Sequence, residues 1–76
     1  MKQEDFEAIT AIDAVKAGRV RIELNYLGFE VTAVSRPTGL RTIGHIITYA
    51  EACAFQGRVV DLFSMVIDGM LRELNV

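Results

Sequence analysis

The side chains best equipped for chemistry in this 76-residue sequence are His45, Cys53 and the arginines Arg19, Arg21, Arg36 and Arg41. His45 is the only histidine, and a lone histidine invites a reading as a base or a pH switch. If Leu40–Gln56 is a helix, His45 shares its polar side with Arg41 and Tyr49, one turn away in each direction. That Arg-His-Tyr line would suit a phosphate or a carboxylate, but a solvated helix face is the expected reading. If the segment is a strand, the line does not exist.

Cys53 falls on the apolar stripe of the same helix, beside Ala50 and Ala54. No basic residue sits at helical spacing to lower its pKa, so an inert core thiol is expected. A single cysteine cannot form an intrachain disulfide, and one His with one Cys falls short of a usual metal site. The carboxylates form no pair beside a nucleophile. The glycines, Gly18, Gly28, Gly39, Gly44, Gly57 and Gly69, match neither a phosphate loop nor a dinucleotide fingerprint. No enzyme, cofactor or metal is therefore expected.

The arginines are better placed for binding than for catalysis. In an alternating hairpin, Arg19, Arg21 and Arg36 share the non-core face, with Lys16 and Arg41 nearby. In the expected register Arg19 lies opposite Arg36, a repulsive pair unless an anion or an acidic side chain sits between them. Such a face could grip phosphates, but Glu23 and Glu30 lie on it too. Tyr26 and Phe29 are expected on the core side, so no base-stacking platform is available. Solvated strand charge is the simplest account of this face; as a binding surface, Arg19, Arg21, Arg36 and Arg41 suit an acidic protein partner better than nucleic acid.

The hairpin itself spans "VRIELNYLGFEVTAV", Val20 to Val34. Val20, Ile22, Leu24 and Tyr26 alternate with polar residues, as do Phe29, Val31 and Ala33. A loop at Leu27-Gly28 pairs Tyr26 with Phe29, Leu24 with Val31 and Ile22 with Ala33, which puts the apolar side chains on one face. An odd shift would scramble the faces, because strand side chains repeat every two residues. "SRPTG", Ser35 to Gly39, ends the hairpin in a turn.

After Gly57 the chain turns helical. Val59, Val60, Phe63, Val66, Ile67, Met70, Leu71 and Leu74 form one arc at about 100° per residue. Leu62 and Met65 fall beside it. Together Leu62, Met65, Val66 and Met70 make the expected dimer contact. Leu40–Gln56 is expected to be a second helix, stopped by Gly57. Thr48 and Glu51 have capping-box spacing, which offers the alternative of a strand at "LRTIGHIIT" and a helix from Tyr49. At the start, Asp13 interrupts the stripe of Phe6 and Ile9, so a short helix from near Ile12 with a loose tail is expected.

Half of the residues are hydrophobic (51%), while a chain this short buries only about 60% of its unfolded surface. The excess argues for association. Charge is uneven: residues 14–50 carry Lys16, Arg19, Arg21, Arg36 and Arg41 against Glu23 and Glu30, between acidic ends. The acidic N-terminus does not read as a signal peptide, and no run approaches the roughly 20 apolar residues of a membrane span. With an unpaired cysteine, this suggests a cytoplasmic protein.

The expected fold is a small single-domain α+β structure over residues 1–76. A two-stranded antiparallel hairpin is covered by two C-terminal helices, with a short N-terminal helix. Phe6, Val20, Ile22, Leu24, Val31, Ile43, Ile47, Phe63, Ile67 and Leu71 are expected to dominate the core. The expected function is a non-catalytic, homodimeric protein-binding module that regulates, adapts or inhibits a larger protein partner, in the format of small phage or mobile-element regulators. The alternative is a dimeric nucleic-acid-binding regulator that uses the arginine face.

Overall fold

The computed structural model describes residues 2–35 and 41–75. Its elements are α1 (Gln3–Thr10), α2 (Asp13–Lys16), β1 (Val20–Leu24), β2 (Gly28–Val34), β3 (Thr42–Thr48), α3 (Tyr49–Ala54) and α4 (Val59–Leu74). The class is α+β as expected, but the sheet has three antiparallel strands in the order β1-β2-β3, not two. Arg36 and most of the expected Ser35–Gly39 turn lie outside the described residues.

The third strand overturns the long helix expected over Leu40–Gln56. Thr42–Thr48 is rich in Thr and Ile, whose branched side chains favour strand over helix. As a strand it also pairs β2's second edge, from Gly28 opposite Thr48 to Val34 opposite Thr42. The chain turns helical where the capping box lies. The Thr48 hydroxyl accepts from the Glu51 amide (3.1 Å), and Glu51 Oε1 accepts from the Thr48 amide (3.2 Å). These bonds satisfy groups that a helix start otherwise leaves open.

The hairpin keeps the expected faces in a different register. Leu24 pairs with Phe29, Ile22 with Val31 and Val20 with Ala33, a slip of two residues. Asn25 sets this register. Its side-chain oxygen accepts from the amides of Leu27 (2.8 Å) and Gly28 (3.1 Å), an Asx-type turn. Arg19 consequently lies opposite Val34, whose amide donates to its carbonyl, and not opposite Arg36.

The core forms between one sheet face and the helices. Phe29, Val31 and Ala33 of β2 and Ile47 of β3 are buried there. Against them α4 presents Phe63, Ile67, Met70 and Leu74, at spacings of four, three and four, so its expected apolar arc holds. Phe29 is the hub: its ring stands edge-on to Phe63 at 5.1 Å and to Tyr49 at 5.3 Å.

The N-terminal helix begins at Gln3, well before Ile12. The conflict at Asp13 disappears because the chain breaks at Ile12, which is extended (φ −59°, ψ 131°), and Asp13 opens the separate α2. Ile9 is then buried. Two residues expected in the core are exposed instead, Phe6 (40%) and Leu24 (61%). Cys53 is exposed as well, because α3 spans only six residues and buries Ala52.

Candidate protein-docking site

The structure does not gather the expected chemistry. Arg41 and His45 lie on one extended run, about 13 Å apart at strand rise, while Tyr49 opens α3, so the Arg-His-Tyr line is absent. Arg41 serves the fold instead. Its Nη1 donates to the Leu74 carbonyl (3.2 Å), covering a C-terminal group of α4 that the helix leaves unpaired. Arg21 pairs with Glu23 on the exposed sheet face (3.1 Å). Arg19 is half-buried, and its Nε is shielded with no partner among the described residues. These three arginines thus occupy three separate settings.

The four residues expected at a dimer contact differ in exposure along α4. Leu62 and Val66 are partly buried against the core, and Met70 is inside it. Met65 alone of the four is open to solvent (63%).

A different cluster emerges at the Asn25 end of the sheet. Leu24 ends β1, Tyr26 and Leu27 form the turn, Tyr49 opens α3 and Phe6 projects from α1. Each is exposed, Tyr26 by 90%. Hydrogen bonds and the Phe29 hub fix the positions of Tyr49 and Phe6. Tyr49 Oη donates to the Asn25 carbonyl (2.7 Å), and the Tyr49 amide donates to the Leu27 carbonyl (3.3 Å). The Phe6 ring packs at 6.2 Å from Phe29.

Two hollows meet in this region. One, of about 480 Å³, runs between α1 and β1 over Phe6, Ile9, Val20, Ile22, Leu24 and Phe63. The other, of about 250 Å³, lies between Leu24, Tyr49 and Cys53 and shares Phe6, Leu24 and Phe29 with the first. Large apolar side chains around a groove are the makings of a protein contact, where aromatic anchors dominate the energetics.

Sequence reasoning missed this cluster because it placed Leu24 and Tyr26 on the covered face. One signal was available. Asn25 precedes Gly28 by three residues, a spacing suited to a side-chain-capped turn that leaves Tyr26 at its tip.

Among the described residues no group of three or more His, Cys, Asp or Glu side chains converges to hold a metal ion, and no helix is long and apolar enough to cross a membrane. No protein-family model matches the chain, and no curated protein or solved structure shows significant similarity to it.

Proposed function

We propose that this chain is a non-catalytic protein-binding module that regulates, adapts or inhibits a larger protein. The observation that carries the reading is the exposed set Phe6, Leu24, Tyr26, Leu27 and Tyr49 at one end of the sheet. Phe6 and Tyr49 are held by Phe29 and by the turn, so binding would order little of these two side chains that is not already ordered. Preorganisation of this kind favours tight association. The contact is apolar and aromatic, flanked by the Arg21–Glu23 pair, and does not depend on a continuous arginine face.

The test is affinity capture from the native host, followed by reconstitution with the purified partner. Leu24→Asp and Tyr26→Ala should each weaken the measured affinity at least tenfold while leaving the circular dichroism spectrum unchanged. Arg21→Glu should change it less. A partner whose affinity ignores both Leu24→Asp and Tyr26→Ala would refute this contact surface. Salt-sensitive binding to duplex or single-stranded DNA, with no protein captured, would replace the reading with a nucleic-acid one.

A further inference from the structure

We infer that the outer edge of β3 pairs antiparallel with the same edge of a second copy of this chain, about a two-fold axis at Gly44, which joins two three-stranded sheets into one of six strands.

The hydrogen bonds at the two ends of the β2–β3 ladder decide which β3 backbone groups are free. The Ser35 amide donates to the Arg41 carbonyl (2.9 Å), and the Tyr49 amide donates to the Leu27 carbonyl (3.3 Å). These two bonds bracket the β2–β3 ladder and set its phase. Hydrogen-bonded pairs alternate along an antiparallel ladder. Ile43, His45 and Ile47 therefore turn their backbone groups inward to β2, while Thr42, Gly44, Ile46 and Thr48 turn theirs outward. The Thr48 amide is already taken by Glu51 (3.2 Å). Thr42, Gly44 and Ile46 are left with outward donors and acceptors, and among the described residues no strand lies beyond them.

Self-pairing has one register that uses all three. With the axis at Gly44, Gly44 faces Gly44 of the second copy, and Thr42 faces Ile46 of the second copy. An axis at His45 would set Thr42 against Thr48, whose amide is occupied. The Gly44 register also accounts for the glycine. Its φ is not positive, and a Cβ built there meets nothing closer than the Val31 carbonyl at 3.9 Å. The isolated chain has no steric need for glycine at a position where glycine weakens a strand. A glycine inside a strand often marks the close approach of another backbone. Across the axis, the paired glycines leave room for the Ile46 side chains that flank them diagonally.

Edge chemistry selects a second copy as the occupant. Thr42–Thr48 carries no Asp, Glu, Lys, Arg or Pro, the residues that keep edge strands apart. The far edge, β1, carries Arg21 and Glu23 and is packed by α2. Pairing through β3 therefore uses up the unprotected edge and leaves a protected one at each end. The product closes as a dimer instead of growing into a fibre.

The test combines sedimentation equilibrium with residue-resolved amide exchange on the full chain. Wild-type protein should be dimeric, with the Thr42, Gly44 and Ile46 amides protected. Gly44→Pro removes the central outward donor without touching the inner ladder, and Ile46→Lys puts a charge on the edge. Each should weaken dimerisation at least tenfold and release the outward amides, while Ile43, His45 and Ile47 stay protected. The two variants share no mechanism of misfolding, so Ile46→Lys decides the matter if Gly44→Pro fails to fold. A wild-type monomer at millimolar concentration would overturn the inference. So would a dimer in which the outward amides exchange freely, or protection that appears only when a different protein binds.

Discussion

The two outer edges of the sheet are opposites. On β1, Arg21 and Glu23 alternate with Val20, Ile22 and Leu24, and α2 packs alongside. On β3, a run of Thr, Ile, Gly and His without Asp, Glu, Lys or Arg leaves three outward amides, at Thr42, Gly44 and Ile46, that no described strand pairs. An edge strand stays single either because charge and cover defend it or because it is already paired. One sheet here carries a defended edge and an undefended one, and that asymmetry is what a closed two-fold assembly needs.

Two glycines carry the same contrast into the strands. Gly28 touches the inner side of β3: a Cβ there would collide with the Ile47 carbonyl and lie 2.7 Å from the Thr48 Cα. Gly44, on the outer side, has room for one. Gly28→Ala is therefore the most damaging of these changes, at about 3 kcal/mol, the upper range for overpacking. Gly44→Ala should leave the fold within about 1 kcal/mol of wild type, with any change toward greater stability. Urea unfolding of both variants, under conditions that keep the chain monomeric, measures the difference. Equal losses at the two sites would show that Gly44 also answers a demand of the isolated fold, and the contrast would lapse.

The next effect separates the two ways β2 is held. The β1–β2 register rests on Asn25, whose side chain accepts two amide hydrogen bonds. Asn25→Ala should cost about 1–2 kcal/mol, since a hydrogen bond contributes about 1 kcal/mol net. The β2–β3 ladder should be less disturbed. Amide exchange should then quicken in β1 more than in β3. The reverse order would mean that the turn does not govern the register. Thr48→Ala removes the cap of α3 and should cost about 1 kcal/mol, a typical loss for such a cap. Its expected signature is faster exchange confined to α3, with the β3 amides of Ile43 and His45 unchanged.

These elements also mark what could be read before the fold was known. The long periodic stretch that became α4 was legible, because Phe63, Ile67, Met70 and Leu74 repeat over about three turns. The hairpin's faces were legible, but its register was not. A slip of two residues keeps the faces intact, so hydrophobic pattern is blind to it, and only the side-chain chemistry of Asn25 separates the alternatives. The β3 segment misled for a related reason. Ile43, Ile46, Ile47 and Ala50 fit helical spacing by chance, whereas Thr48 and Glu51 spelled out the true helix start. The candidate site fared worst. Its residues lie far apart in sequence, at Phe6, Leu24 and Tyr49, and only the pairing of strands brings them to one end. Arg41 looked available for a partner because nothing local reveals that Leu74, 33 residues on, receives its hydrogen bond.

The smallest energetic effect bears most directly on the contrast between the edges. Arg21 and Glu23 lie 3.1 Å apart, but their side chains are 77% and 57% exposed. A double-mutant cycle to alanine should give a coupling of no more than about 0.5 kcal/mol, shrinking with added salt, because solvent screens exposed pairs. If these charges do little for stability, their physical effect is to make strand addition at β1 costly, since an incoming strand would have to desolvate them. Replacing both with threonine should keep the monomer's stability within about 0.5 kcal/mol and raise strand propensity at the same time. The dimer would then possess two undefended outer edges. Sedimentation velocity should detect species larger than a dimer, growing with concentration, in Arg21→Thr/Glu23→Thr protein but not in wild type. The same pair introduced together with Ile46→Lys should halt growth at the dimer, now joined through β1. A variant that stays dimeric without Ile46→Lys would mean that α2, and not charge, guards that edge.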